Sequence, residues 1–104
     1  MSVTSVYAVF ADREEAERIG RDAVEQRLAA CVNIVGPIHS IYRWQGAVES
    51  ADEVAAIFKT SEASAGALMT RIAALHSYEV PCIASWPVDK VIEAYASWIE
   101  NSVG

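Results

Sequence analysis

Few side chains in this sequence are of types that bind metals or attack substrates. His76 offers an imidazole, a ligand suited to Cu, Zn and Ni, and it precedes the polar run Ser77-Tyr78-Glu79. Its plainer role is a helix-end histidine answering the last carbonyls of a helix. Cys31 and Cys82 bring thiols that suit Cu(I). They lie 51 positions apart, however, with no C-x-x-C, no H-x-x-x-H and no Cys/His cluster beside them. Such cysteines ordinarily act as small buried apolar side chains. His39 falls mid-strand near Pro37 and reads as an ordinary, partly exposed residue. Nucleophilic catalysis has no support, because there is no G-x-S-x-G and no phosphate-binding loop.

The chain that must position these groups is short and apolar. Its 104 residues make one domain, taken as 1–104. An apolar fraction of 53% with 21% charged residues excludes a disordered chain. The net charge of -6, with no basic cluster, argues against nucleic acid and anionic lipid as partners. No apolar run reaches the roughly 20 residues of a membrane span. The start, Met1-Ser2-Val3-Thr4-Ser5, lacks the cationic region of a secretion signal. Two distant cysteines form no disulfide framework, which fits reduced thiols in a cytoplasm.

Periodicity lays out the elements. Val3 to Ala11 reads as a strand buried on both faces. Asp12 caps a helix, with Glu15 three residues on completing a capping-box pattern. The apolar stripe of that helix is Ala16, Ile19, Ala23, Val24 and Leu28, and Glu14–Arg18 and Glu17–Arg21 are i,i+4 pairs on its wet face. Cys31 to Trp44 is strand again, interrupted at Gly36-Pro37, and Gln45-Gly46 is a hairpin turn. The return strand runs to Lys59 with Val54, Ala56 and Phe58 on one face. A second helix begins near Ser61 with the stripe Ala65, Leu68, Met69, Ile72 and Leu75. Val80 to Val88, carrying Pro81 and Pro87, is an edge strand. A last helix follows Asp89, with Val91, Ile92, Tyr95 and Ile99 inward.

The order β-α-β-β-α-β, then α, predicts an α+β ferredoxin-like sandwich with an extra C-terminal helix and a long hairpin between strands two and three. Right-handed crossovers bring Phe10, the hairpin tip near Trp44 and the connector His76 to Glu79 to one end of the sheet. Cys31 and Lys59 fall at the other end. Strands two and four are opposite edges, so Cys31 and Cys82 cannot pair within one chain.

The hairpin is long for a single subunit. The 13 residues from Val32 to Trp44, fully extended, span about 43 Å. A compact domain of this length has a radius of gyration near ~13 Å. The hairpin must bend at Gly36-Pro37 or project, exposing Ile41, Tyr42 and Trp44 beside unpaired edges. Such edges are a hazard unless a partner covers them, and a symmetric homo-oligomer does so.

Ala29-Ala30-Cys31-Val32-Asn33-Ile34, Ser40-Ile41-Tyr42-Arg43-Trp44-Gln45-Gly46, Lys59-Thr60, His76-Ser77-Tyr78-Glu79-Val80-Pro81, and Tyr95 with Trp98-Ile99, in this order, resemble the CutA family of divalent-cation tolerance proteins. The resemblance implies a non-enzymatic, cytoplasmic homotrimer, similar to PII signal proteins, joined by the long hairpin strands and linked to copper tolerance. It implies an inter-subunit cleft lined by Lys59, Tyr78, Glu79 and Trp44, able to hold a small anion or metabolite. The trimer contacts it implies are Ile41, Tyr42, Trp44 and Trp86. Copper or another divalent cation is the implied ligand, with His76 as its metal residue; the topology places His76 near the hairpin tip, where Glu49, Glu79 or a neighbouring subunit could add ligands. The chain departs from the family pattern at Ser77, Cys82 and Val91. Where copper-binding members carry a cysteine and two adjacent histidines, it has Phe10 and Leu75-His76, so only His76 is retained. Two readings from other classes are a PII-like sensor of a small metabolite and a structural trimer that organises other proteins.

Overall fold

In the computed structural model, residues 2–104 are described and Met1 lies outside them. Strand β1 (Val3–Phe10) is flanked by both neighbours in the sheet and is buried nearly throughout. Helix α1 (Arg13–Glu25) follows at once, because the Asp12 side chain accepts from the Glu15 N–H at 2.8 Å and satisfies one of the orphan donors of the first turn. Strands β2 (Cys31–Trp44) and β3 (Ala47–Ser61) form the hairpin, helix α2 (Glu62–Leu75) is capped by Ser61, and β4 (Ile83–Val88) precedes α3 (Glu93–Ser102). The sheet order is β2-β3-β1-β4 with every neighbour antiparallel, the ferredoxin-like arrangement.

The pleat sorts side chains onto two faces. Val6, Ala8 and Phe10 of β1 join Ala56 and Phe58 of β3 against Ala16, Ile19 and Ala23 of α1 and Leu68 and Ile72 of α2. Met69 and Leu75 pack at the rim of this core, as the α2 stripe predicted. Val3 belongs to the opposite face, where it meets Ala30 and the α3 residues Ala96 and Ile99, with Val91 and Tyr95 against them. Helix α3 therefore covers only the Val3 end of the second face.

Several boundaries move. Strand β4 begins at Ile83 rather than Val80, and the residues around Pro81 stay irregular. Ile92, expected inward, is 75% exposed. It is the extended N-cap of α3, so its side chain does not follow the helical stripe. Val24 is exposed as well, because α1 stops at Glu25 and Arg27 turns the chain at φ 59°. Of the two expected i,i+4 pairs, Glu17–Arg21 forms and Glu14–Arg18 does not. Helix α1 instead gains a longer-range pair, Asp22 with Arg71 of α2, joined by two 2.9 Å hydrogen bonds.

The hairpin both kinks and projects. A bulge between Ile34 and Gly36 leaves Val35 unpaired, and Gly36 takes φ +109°, a conformation other residues resist. Beyond it the two strands continue to a tight turn in which Gln45 and Gly46 both have positive φ, the two-residue geometry that matches strand twist. Every residue from Ile41 to Ser50 is exposed. The molecule measures 45 × 25 × 22 Å, and the arm accounts for its elongation.

Candidate functional site

Where α3 leaves the second face uncovered, the sheet and the arm border an open cavity of about 790 Å³. Strand β1 supplies Tyr7 and Val9, the arm supplies Tyr42, Arg43 and Trp44, and the α2–β4 connector closes one side with Tyr78 and Glu79. Glu53 of β3 forms part of the floor and is only 8% exposed. The Tyr78 hydroxyl donates to Glu53 Oε2 at 2.7 Å. Burial first, then this bond and the carboxylate charges of Glu53 and Glu15, push the Tyr78 phenol well above its ordinary pKa. It stays protonated and serves as a donor.

His76 fixes the connector rather than facing the cavity. Its Nε2 donates to the Val9 carbonyl at 2.7 Å, and its Nδ1 accepts the Tyr78 backbone N–H at 3.0 Å. These partners define the neutral Nε2–H tautomer. The ring stacks on Phe10 with centroids 5.2 Å apart and tilts against Tyr78 at 4.9 Å. Both ring nitrogens are thus engaged, and a metal at His76 must displace one of these bonds. Among the described residues no three His, Cys, Asp or Glu side chains converge as a metal centre.

Glu15 anchors the same end. Its Oε1 accepts from the Ala11 N–H at 3.0 Å and its Oε2 from the Ser77 N–H at 2.8 Å. Burial by itself raises the carboxyl pKa. The Ser77 hydroxyl and the Ala11 and Ser77 amides outweigh it and hold Glu15 below the ordinary carboxylate range.

Of the residues expected in a cleft, Trp44, Tyr78 and Glu79 do line one cavity. Lys59 does not join them: it pairs in register with Ser5 and Cys31 at the other end of the sheet. Ile41 is 73% exposed on the arm, and Trp86 lies on β4 with its ring 6.2 Å from Tyr7. His39 of β2 bonds Asp52 of β3 at 2.9 Å on the wet side of the arm. Cys31 and Cys82 are both free thiols. The Cys31 sulfur meets the Tyr95 hydroxyl at 3.4 Å, tying β2 to α3. Glu53 and Glu15 were missed as site residues. The alternation of Val54, Ala56 and Phe58 does place Glu53 on the face opposite the helices, but its partner Tyr78 is fixed by tertiary placement alone.

The fold and this cavity define a small ferredoxin-like protein with a solvent-projecting β-arm and a pocket on the far face of its sheet. The family model of the CutA1 divalent ion tolerance protein matches residues 4–102, and the chain belongs to that family. It is 39% identical over 98 residues to the divalent-cation tolerance protein CutA of Archaeoglobus fulgidus, covering 94% of this chain and 95% of that one. A solved structure described as the periplasmic divalent cation tolerance protein CutA of that organism superposes with TM-score 0.94, at 37% identity over 98% of this chain and 99% of the other. CutA1 from Oryza sativa superposes with TM-score 0.96, at 34% identity over 100% of this chain and 95% of its own.

Proposed function

We propose that this chain acts in divalent-cation tolerance as a homotrimer, by binding and responding rather than by catalysing a reaction. The observation that carries the assembly is the arm. Ten consecutive exposed residues, Ile41 to Ser50, include apolar side chains at Ile41 and Val48. The outer rims of β2 and β4 end the sheet with unpaired backbone groups. Symmetric copies that share these strands cover both, in the manner of PII-like trimers. Light scattering on the purified protein is expected to give three times the 11.3 kDa chain mass. A folded species at the mass of one chain overturns the reading.

A tight copper centre does not fit the residues of one chain, since His76 has no nitrogen to spare and no second histidine adjoins it. The geometry supports weak coordination of copper or another divalent cation at His76, because each binding event must displace one of the two hydrogen bonds of its ring. Calorimetric titration with copper is expected to give small heats that fall in His76→Ala. Identical heats remove His76 from the account. Two unpaired thiols suit a reducing compartment, and we place the protein in the cytoplasm.

A further inference from the structure

The two nitrogens of His76 are engaged unequally. The Nε2–H donates to the Val9 carbonyl at 2.7 Å in a partly buried bond, whereas Nδ1 accepts the Tyr78 amide at 3.0 Å in a bond exposed to solvent. A cation needs a ring lone pair, and in this tautomer that lone pair is on Nδ1. The Nε2 bond is free to persist, because a histidine that holds a metal commonly directs its other N–H to a carboxylate or a backbone carbonyl. The Tyr78 amide is therefore the partner that a cation at His76 displaces.

The groups on either side of that bond are pinned. The imidazole stacks on the fully buried Phe10 ring, with centroids 5.2 Å apart. The Ser77 N–H is held by Glu15 Oε2 at 2.8 Å. Further on, the Cys82 carbonyl accepts the Val9 N–H at 3.1 Å. Between these anchors, Tyr78 to Pro81 belong to no helix or strand. We propose that the bond between His76 Nδ1 and the Tyr78 amide is a latch that a borderline divalent cation opens, loosening Tyr78 to Pro81 while the ring, Ser77 and Cys82 stay in place. The proposal rests on the reading of His76 as the cation residue and adds what the chain does in response.

The test is amide-resolved NMR on the intact protein at constant neutral pH and ionic strength, with zinc chloride and, separately, magnesium chloride. A His39→Asn background removes the other imidazole. Zinc is expected to shift the Tyr78 amide saturably and to speed its hydrogen exchange at least threefold, with Ser77 unchanged and magnesium silent. Tyr78→Pro, which lacks the competing N–H, is expected to bind zinc about fivefold more tightly than Tyr78→Ala, the reach of one neutral hydrogen bond. Zinc that perturbs the His76 ring but leaves the Tyr78 amide unmoved overturns the latch and leaves the His76 reading standing, whether or not the proline variant folds. Equal zinc affinity in the two folded variants, or loss of the Nε2 bond to Val9 in place of the amide bond, overturns the latch as well. A His76 ring that zinc does not perturb overturns both.

Discussion

The Glu15 carboxylate and the Ser77 amide, 62 positions apart, are joined at 2.8 Å. The bond ties the first turn of α1 to the connector that carries His76 and Tyr78. A second oxygen of the same carboxylate holds the Ala11 amide, so one side chain closes two chain reversals at the cavity end of the sheet.

Glu15→Ala is expected to be among the costlier substitutions outside the apolar core. It strands two backbone donors, each worth about 1–3 kcal/mol when left unsatisfied. The sign of the pH dependence follows from the depressed carboxyl pKa. Stability from this group is fully present above the ordinary value of 4.5 and is lost as pH falls through the lower folded value. Chemical denaturation across the acid range should show a steeper loss in the wild type than in Glu15→Gln.

Tyr95 offers the alkaline counterpart. Its hydrogen bond with Cys31, then burial and the charge of that thiol, push its phenol up to about 12. The stability this supplies is intact below the ordinary value of 10.0 and disappears as pH climbs through the raised one. Cys31→Ala should lower the native phenolate midpoint of this tyrosine in a spectrophotometric titration. An unshifted midpoint removes the Cys31 contact as the cause.

Gly20 lets α1 pack closely on β2 at Val32. A Cβ there meets Val32 Cγ1 at 2.9 Å, and the β-branched valine has little freedom to swing away. Overpacking of this kind costs about 1–3 kcal/mol, against a gain of about 1 kcal/mol in helix propensity. Gly20→Ala is therefore expected to lose about 1 kcal/mol, read as a lower thermal midpoint. Val32→Ala should cost less in that background than in the wild type, because the two sites share one space.

Tyr78→Phe deletes the only donor to Glu53 among the described residues and leaves a buried carboxylate oxygen bare. The expected loss is about 1–3 kcal/mol. Adding Glu53→Leu, which removes the stranded group, should restore part of that loss in a double-mutant cycle.

Much of the frame is legible in one dimension. The Asp12 cap, the α2 stripe and the Gln45-Gly46 turn are local signals that the structure honours. The second half of the capping box is replaced, the Glu15 carboxylate taking the Ala11 and Ser77 amides instead of that of Asp12. The sheet order follows from handedness and from the two edge prolines. Local signals fail where an element ends, as at Ile92 and Val24, since a residue one step outside a helix no longer obeys its period. They fail again in the cavity. Trp44, Tyr78 and Glu79 were singled out together, but Glu53 became visible only once the hairpin register set it beneath Tyr78. The position of α3 is likewise a tertiary matter: its stripe predicts burial without saying which face of the sheet receives it.

The kink at Gly36 divides the hairpin into a stretch braced by helices and a stretch braced by nothing but its own ladder. Amides beyond that kink have no protection in a lone chain except each other's. If the proposed assembly forms, deuterium uptake along Ile41 to Ser50 is a clock for subunit separation, slow while neighbours clasp the arm and quick once it swings free.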